Sequence, residues 1–196
     1  MKNPCPGLWL ADIQEQTKHL TSLTNNLITL SRMEEERTRL QMIDFPFSDV
    51  VEETVQSFQA LARTQNKTFE TSIQPMISLY GDEKSLTQLV SILLDNAMKY
   101  STPEGEISLR LEKAGNNVKL SVYNTADSID REQLSHLFDR FYRTDKSRSS
   151  RTGGYGLGLS IAAAVVNTHK GKITATTQDE HSLLITVTLP LKTQGR

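Results

Sequence analysis

The chain has 196 residues, of which 37% are hydrophobic and 23% charged, as in ordinary globular proteins rather than disordered or fibrous ones. Its 22 basic and 23 acidic residues leave a formal net charge of -1, which excludes the basic footprint of a nucleic-acid-binding protein. The single Cys5 excludes an intramolecular disulfide and the common multi-cysteine zinc sites. No apolar run has the length of a membrane span and no secretory pattern is present, so we predict a cytoplasmic domain without membrane contact.

Residues 10–41 contain neither glycine nor proline and predict one long helix. A narrow apolar seam with heptad spacing runs along it, made of Ile13, Leu20, Leu23, Leu27 and Leu30. Such a seam indicates one helix of an antiparallel pair or of a dimeric bundle. The alternative is an amphipathic helix that packs on its own domain.

Pro46 separates this helix from the rest of the chain, because proline disfavours a helical backbone in the residue before it. We therefore divide the chain into an N-terminal arm, residues 1–43, and a main domain, residues 44–196.

Hydrophobic periodicity and turn residues predict the elements of the main domain. Ser48 is expected to cap the first helix, residues 114–116 to join two strands as a hairpin, and residues 144–152 to form a polar loop. In chain order the predicted elements are a helix over 48–66, strands over 68–73 and 77–80, a helix over 82–99, strands over 106–113 and 117–124, a short helix over 131–137, a helix over 157–168, and strands over 172–177 and 183–189. Together they predict an α/β fold with helices on one largely antiparallel sheet.

The helix over 82–99 ends in a cluster of polar side chains. Asp95 and Asn96 lie one helical turn before Lys99 and Tyr100, so the four share one end of the helix. An amide oxygen beside a carboxylate can hold Mg²⁺, which bridges to phosphate oxygens. Lys99 would oppose the phosphate charge and Tyr100 would donate a hydrogen bond. The alternative is an ordinary helix end whose lysine only complements the helix dipole.

A glycine-rich run leads directly into the helix over 157–168. Gly154, Gly156 and Gly158 allow backbone conformations closed to other residues and let amides approach a ligand. The free N–H groups at the start of the helix then form an anion site. Similar spacing occurs in dinucleotide folds, but there the loop follows a strand, whereas this one follows a polar loop. We therefore predict a polyphosphate site.

Between these two motifs, residues 138–143 lead into a basic loop. Their aromatic rings can anchor the base of the loop in the core while cations face a phosphate chain. We favour Arg140 and Arg143 as phosphate ligands over Lys146 and Arg148, for which a solvated basic loop is the alternative.

In this order the motifs resemble the catalytic ATP-binding domain of sensor histidine kinases, within the wider family shared with gyrase, the Hsp90 chaperones and MutL. Residues 94–101 resemble its N box, residues 138–143 its F box and residues 152–159 its second glycine box. Residues 27–34 are similar to the end of the second helix of the dimerisation and phosphotransfer domain. The resemblance covers roughly residues 10–191.

By this resemblance the fold is a two-layer α/β sandwich of the Bergerat type, preceded by a long N-terminal helix, with ATP held between helices and a flexible lid. Asn96 would be the Mg²⁺ ligand, Asp95 the acidic residue that activates the nucleophile, and Lys99 would assist at the phosphates. The residues implied to hold the nucleotide and its metal are Asn96, Lys99, Tyr100, Asn124, Ala126, Ser128, Ile129, Arg140, Arg143, Gly154, Gly156, Leu157, Gly158 and Leu159.

The resemblance also implies the reaction and its partners. The γ-phosphoryl group of ATP would pass to a histidine and then to an aspartate on the receiver domain of a response regulator. The full protein would be a homodimer joined through the N-terminal helix. Phosphoryl transfer depends mainly on positioning and charge stabilisation, which suits a site of amides, cations and Mg²⁺.

The sequence departs from the family at the first glycine box, where an aspartate and two glycines are expected. Asn124, Ala126 and Ser128 stand at those positions. The aspartate would accept a hydrogen bond from the adenine amino group. Asn124 can accept through its amide oxygen but without charge, which predicts roughly a tenfold loss of affinity. Ala126 and Ser128 are expected to narrow the adenine pocket.

The phosphoacceptor and one helix position also depart from the family. The acceptor histidine should be followed by an acidic residue and soon by proline, a context that none of His19, His136, His169 and His181 has. The chain is therefore expected not to phosphorylate itself. Ile92 stands one helical turn before the metal ligand, where many relatives have a second asparagine.

Two other functions stay open from the sequence. The altered adenine box is compatible with a degenerate nucleotide-binding module that dimerises and signals without catalysis. Another ATPase of the wider family, such as a mismatch-repair type, is the second alternative. The helical arm and residues 30–32 argue against the latter.

Overall fold

The computed structural model describes residues 40–142 and 156–191, together with Thr17, Thr21 and Thr24. These three threonines are helical and exposed, and the Thr21 hydroxyl donates to the Thr17 carbonyl oxygen at 2.9 Å. The predicted heptad seam and the predicted loop over 144–152 lie outside the described residues, so both stay predictions, as does the boundary between the arm and the main domain.

Apart from a first strand that the sequence analysis did not predict, the elements follow one another as the hydrophobic periodicity predicts. In chain order they are β1 (Met42–Pro46), α1 (Phe47–Thr64), β2 (Thr68–Ile73), β3 (Ser78–Asp82), α2 (Glu83–Tyr100), β4 (Glu106–Ala114), β5 (Asn117–Thr125), a 3-10 helix (Arg131–His136), α3 (Gly158–Thr168), β6 (Lys172–Thr176) and β7 (Ser182–Pro190). The predicted bounds agree with these to within two residues.

A five-stranded sheet in the order β2-β4-β5-β7-β6 forms one layer of the domain. β2 and β4 run parallel, and the other neighbouring strands run antiparallel. Gly115 takes a φ of +61° in the β4–β5 turn, a conformation that glycine adopts without steric cost. β1 and β3 pair separately as a two-stranded antiparallel sheet. The largely antiparallel main sheet is therefore as predicted, and the small sheet is additional.

The core lies between one face of the main sheet and the helices. Alternate side chains of the three central strands are buried there, namely Ile107, Leu109, Leu111, Val118, Leu120, Val122, Leu183, Ile185, Val187 and Leu189. Val51 of α1, Leu93 of α2 and Ile161 of α3 have no exposed surface and belong to the same apolar cluster. Period-2 strands and period-3.6 helices thus bury one face each, and the predicted two-layer α/β sandwich is confirmed.

The start of α1 differs from the prediction. Ser48 does not cap the helix, because α1 begins at Phe47 after Pro46 and has no side-chain cap among the described residues. Ser48 is buried instead, and its hydroxyl donates to the Gln74 carbonyl oxygen at 2.7 Å and accepts the Ile77 N–H at 3.0 Å. The Ser48 hydroxyl, which its sequence position alone assigns to a helix cap, therefore makes a tertiary contact with the β2–β3 connection instead.

Asp82 holds the start of α2. One carboxyl oxygen accepts the Ser85 N–H at 2.8 Å and the Ser85 hydroxyl at 2.6 Å, and the other accepts the Gln41 N–H at 2.9 Å. Burial alone raises the pKa of Asp82, but the hydrogen bonds from Ser85 and Gln41 outweigh it and hold that pKa below its ordinary value. Asp82 therefore caps the helix as a carboxylate.

We expect Asp82 to make the stability of the domain sensitive to acid. Since its pKa is lowered in the folded state, its contribution is complete above the unfolded pKa of about 3.9 and is lost as pH falls through the folded value. Urea unfolding between neutral and acid pH should show a shallower loss of unfolding free energy for Asp82→Asn than for the unsubstituted chain. If the unfolding free energy of the two proteins fell equally steeply with acid pH, this assignment would be contradicted.

Candidate functional site

The last turns of α2 present the predicted polar cluster at the edge of the core. Lys99 Nζ lies 2.6 Å from Asp95 Oδ2, and the two side chains are 37% and 54% exposed. An exposed pair of this kind adds little to stability, about 0.3–0.5 kcal/mol. Both charges therefore stand at the surface within reach of a ligand, with the lysine held by its aspartate neighbour.

Asn96 differs from these neighbours because its side-chain oxygen is buried. Among the described residues, Asn96 Oδ1 has no hydrogen-bond partner. Leaving a buried acceptor unpaired costs about 1–3 kcal/mol, so such a group commonly has a functional reason. An amide oxygen is a hard ligand of the kind that Mg²⁺ prefers, and the Asp95 carboxylate is adjacent. The donor set at this helix end therefore fits a divalent cation.

The protein supplies few other ligands for a metal. The part of the chain that the structure describes holds no group of three or more His, Cys, Asp or Glu side chains that could bind one. A cation at Asn96 would thus depend on a few protein oxygens and on oxygens of a bound phosphate. That is the usual situation for Mg²⁺ at a nucleotide site, where the ion is held by one or two protein groups, substrate phosphates and water.

Lys67 supports the same helix end and was missed by the sequence analysis. Its ammonium donates to the carbonyl oxygens of Ser101 at 3.0 Å and Thr102 at 3.2 Å, and also to the Ser101 hydroxyl. These carbonyls follow α2 directly, where a helix leaves acceptors unpaired. Burial lowers the pKa of Lys67. No sequence signal predicts the contact, because it joins residues 34 positions apart.

α3 begins beside the C-terminal half of α2. A Cβ added at Gly158 would lie 3.5 Å from Ile92 Cγ2, so the first turn of α3 packs on α2 one turn before Asn96. Leu157 and Leu159 bury their side chains in the core, which leaves their backbone as the part that faces a ligand. No side chain of the described residues caps this helix. Its first N–H groups and its positive dipole end are of the kind that binds anions, and they lie beside this part of α2.

Gly156 meets the F-box segment. The Phe141 N–H donates to the Gly156 carbonyl oxygen at 3.0 Å. Gly156 has a φ of +69°, and a Cβ there would lie 2.6 Å from the Tyr142 carbonyl oxygen. Glycine is therefore required at this position by both conformation and space. The structure thus joins the second glycine box to the F box, while Gly154 and Arg143 lie outside the described residues.

Gly158 does not use the conformational freedom that glycine allows. Its φ is not positive, and an added Cβ would make only ordinary contact with Ile92. Its predicted role as a phosphate ligand stays a prediction. Gly158 begins α3 with ordinary helical backbone, and glycine spacing alone does not reveal which member of a glycine run has a positive φ.

The two glycines should respond to alanine in different ways. Gly156→Ala is expected to lower the free energy of unfolding by about 1–3 kcal/mol, because it forces an L-residue into a left-handed conformation against a carbonyl oxygen. Gly158→Ala should leave it unchanged or raise it by up to about 1 kcal/mol, since alanine is the better helix former. Urea unfolding of both variants decides this, and equal losses would contradict it.

The F-box segment is anchored by only one of its phenylalanines. Phe138 is partly buried and packs on the core, as do Ile129, Leu134 and Leu137. Phe141 is instead 66% exposed at a φ of +62°, so the prediction that the aromatic residues together anchor this segment is wrong for Phe141. Arg140 is exposed on the same surface.

β5 ends in a polar side chain that faces the helices. Asn124 continues the buried row of Val118, Leu120 and Val122 and is itself 2% exposed. Its Nδ2 donates to the Thr125 carbonyl oxygen at 2.8 Å, which fixes the orientation of the amide. Thr125 in turn lies 2.9 Å, hydroxyl to hydroxyl, from Thr102 just beyond α2. The end of β5 and the end of α2 are thus linked.

The segment after β5 is held by backbone hydrogen bonds to the β6–β7 turn. The Ala126 N–H donates to the His181 carbonyl oxygen and the Ile129 N–H to the Glu180 carbonyl oxygen, both at 2.7 Å. Ala126 is buried and Ser128 is exposed. Of the two residues predicted to narrow an adenine pocket, only Ala126 therefore adds volume inside the domain.

The fold and the site together define an α/β nucleotide-binding domain, with a glycine-led helix beside a helix that ends in an unpaired amide. A sequence model of the histidine kinase-, DNA gyrase B-, and HSP90-like ATPase family matches residues 81–193, and the chain belongs to this family of ATP-binding domains.

Individual relatives are sensor proteins. The sensor protein DltS of Streptococcus agalactiae serotype III (strain NEM316) is 32% identical over 192 residues, which are 97% of this chain and 48% of DltS. The chain thus spans about half the length of this curated relative. The Acinetobacter baumannii histidine kinase AdeS is similar in structure, with 25% identity and a TM-score of 0.78 over 97% of this chain and 87% of that chain.

A crystal structure of the histidine kinase ThkA in complex with the response regulator protein TrrA shares the fold. It has 22% identity and a TM-score of 0.76 over 99% of this chain and 55% of that chain. The predicted resemblance to the ATP-binding domain of sensor histidine kinases is confirmed. None of the helices in the described residues is long and apolar enough to cross a membrane.

Proposed function

We propose that this chain is the catalytic ATP-binding part of a two-component sensor kinase. It would transfer the γ-phosphoryl group of ATP to a histidine on a dimerisation domain, for relay to an aspartate on the receiver domain of a response regulator. The observation that carries the proposal is the buried Asn96 Oδ1 near the end of α2, which has no hydrogen-bond partner in the part of the chain that the structure describes, one helical turn after Ile92, on which the start of α3 packs.

Each end of the site has a role in this proposal. The N–H groups at the start of α3 and the Lys99 ammonium bind the phosphate chain, and the Asn124 amide oxygen accepts a hydrogen bond from the adenine amino group. Asn96 Oδ1 holds Mg²⁺, which supplies neutralisation of charge on the phosphate oxygens when it is bound.

Asp95 faces the incoming histidine. The attacking imidazole nitrogen forms a bond to the γ-phosphorus as the bond from phosphorus to the ADP oxygen breaks, and Asp95 holds the N–H of the other ring nitrogen. Asp95 Oδ2 and Lys99 Nζ are 2.6 Å apart, so the carboxylate that holds the histidine and a phosphate-binding cation lie at one point of the surface. Positioning and charge stabilisation of this kind are the main requirements of phosphoryl transfer.

None of the described histidines has the sequence context of a phosphoacceptor. His169 is buried, His136 Nδ1 lies 2.8 Å from Asp139 Oδ2, and His181 Nδ1 donates to the Asp127 carbonyl oxygen at 2.9 Å. His19 lies outside the described residues and lacks the sequence context of an acceptor. The acceptor is therefore proposed to belong to a separate segment, and the homodimer to form through the seam of the N-terminal arm.

A transfer assay tests this function. The chain is incubated with Mg²⁺, ATP labelled at its γ-phosphate, and a separately purified sensor-kinase dimerisation domain that carries an acceptor histidine. We expect label on that domain, further transfer to a receiver domain added later, and no label with Asn96→Ala. Tight ATP binding without any labelled histidine would contradict the kinase assignment.

The second candidate is a degenerate module that binds a nucleotide or dimerises without catalysis. Asn124 and the buried Ala126 favour it, because an uncharged acceptor and an added methyl group both weaken adenine binding. This candidate predicts weak or absent ATP binding together with an intact fold. The transfer assay and a binding titration therefore separate the two.

A further inference from the structure

His169 is a buried polar side chain for which the proposed chemistry has no use. It follows α3 directly and is 5% exposed. Its Nδ1 donates to the Val165 carbonyl oxygen at 2.8 Å, and its Nε2 accepts the backbone N–H of Asp82 at 3.0 Å. One ring nitrogen is thus a donor and the other an acceptor, which defines a neutral imidazole with both nitrogens paired.

The two hydrogen bonds join the helices that form the site. Val165 belongs to α3, and Asp82 is the N-cap of α2. At the opposite end of the same helix pair, Gly158 packs on Ile92. The helices are therefore antiparallel, and His169 lies about 15 Å along them from the phosphate end, as a rise of 1.5 Å per residue requires.

The imidazole of His169 fills a space that a side chain at position 81 would otherwise occupy. A Cβ added at Gly81 would lie 2.9 Å from His169 Cδ2 and 2.8 Å from Leu86 Cδ1, so only glycine admits the ring here. Most other buried side chains of α3 are apolar, including Ile161 and Val165, and the buried Ser160 hydroxyl donates to Leu157 just before its own helix rather than to α2. Apolar contacts are non-directional and tolerate small axial shifts. The bond from Asp82 to His169 is directional and resists such shifts.

We propose that His169 is a positioning residue of the nucleotide site. Its imidazole sets the axial register of α3 against α2, and so fixes the distance between the N–H groups at the start of α3 and Asn96. This inference rests on the proposed function, because its consequence is nucleotide affinity. A misplacement of about 1 Å between binding groups costs up to about a hundredfold in catalysis.

Two substitutions separate the bonds of His169. His169→Gln extends an amide oxygen to accept the Asp82 N–H while losing the bond to Val165. His169→Asn keeps a donor for the Val165 carbonyl oxygen but is too short to reach Asp82. We expect His169→Asn to weaken Mg²⁺-dependent ATP binding about ten- to a hundredfold, the equivalent of one lost contact to a charged group, and His169→Gln to restore the affinity close to that of the unsubstituted chain. Equal affinities in the two variants would overturn the proposal.

A second readout needs no nucleotide. In the free protein, the NMR resonance of the Asn96 side-chain amide should move in His169→Asn and stay in place in His169→Gln. Ser48→Ala is the matched control, because it removes a buried hydroxyl that also bridges two elements, away from the site. It should lower stability and leave both the resonance and the affinity unchanged.

The two proposals fail in different ways. If the unsubstituted chain binds no ATP, the proposed function is wrong, while the Asn96 resonance still decides the role of His169. If the unsubstituted chain binds ATP and Ser48→Ala weakens binding as much as His169→Asn does, loss of stability explains the effect and the positioning role is wrong.

Discussion

Asn96→Ala is expected to stabilise the free domain and to remove most of its Mg²⁺-dependent affinity for ATP. The substitution deletes a buried oxygen that has no partner among the described residues, and it places the best helix former inside α2. We expect the free energy of unfolding to rise by about 1 kcal/mol. The affinity should fall about ten- to a hundredfold with the loss of a contact to a charged group.

Opposite signs for stability and binding distinguish a functional residue from a structural one. Urea unfolding without ligand gives the first quantity, and calorimetric titration with Mg-ATP gives the second. Thr87→Ala is the matched control, because Thr87 is a half-buried residue in the first turns of the same helix, where its hydroxyl donates only to the Glu83 carbonyl oxygen. It should gain stability through helix propensity and bind ATP unchanged. An Asn96→Ala variant that binds ATP as well as the unsubstituted chain would contradict the metal-ligand assignment.

Asn124→Asp is expected to exchange stability for affinity. In the free protein a carboxylate would replace the Nδ2 that donates to the Thr125 carbonyl oxygen, at a site only 2% exposed. We expect this to lower the free energy of unfolding by about 1–3 kcal/mol. With ATP bound, a charged acceptor would face the adenine amino group, and the affinity should rise about tenfold.

Nucleotide choice sharpens this test. GTP has a carbonyl oxygen where ATP has the amino group, so Asn124→Asp should raise the affinity for ATP and not for GTP. Asn117→Asp, at the other end of β5, is the control and should change neither. A fall in ATP affinity for Asn124→Asp would show that Asn124 does not accept a hydrogen bond from the adenine amino group.

The elements of the main domain were predictable because their signals are local. Leu86, Leu89 and Leu93 repeat with helical spacing in α2, and the β4–β5 hairpin has glycine in its turn. The polar end of α2 follows from the same periodicity, which places Asn96 one turn before Tyr100. Order along the chain and polar clusters at element ends are thus available from the sequence.

Contacts between distant residues were not predictable. Lys67 reaches Ser101, Ser48 joins the β2–β3 connection, and His169 accepts the Asp82 N–H from 87 residues away. The sequence does not reveal which distant group a polar residue will hydrogen-bond. Each of these three residues was therefore predicted to have a local role or no role. The parallel pairing of β2 with β4 is of the same kind, because it depends on how α2 crosses the sheet.

We propose that ATP binds between the end of α2 and the start of α3 together with a divalent cation. We would titrate the unsubstituted chain with ATP by calorimetry, once with Mg²⁺ and once with excess EDTA. We expect one site per chain in Mg²⁺ and an affinity at least about tenfold weaker in EDTA, since a charge-assisted contact is lost. No binding at millimolar ATP, or the same affinity in both buffers, would contradict it.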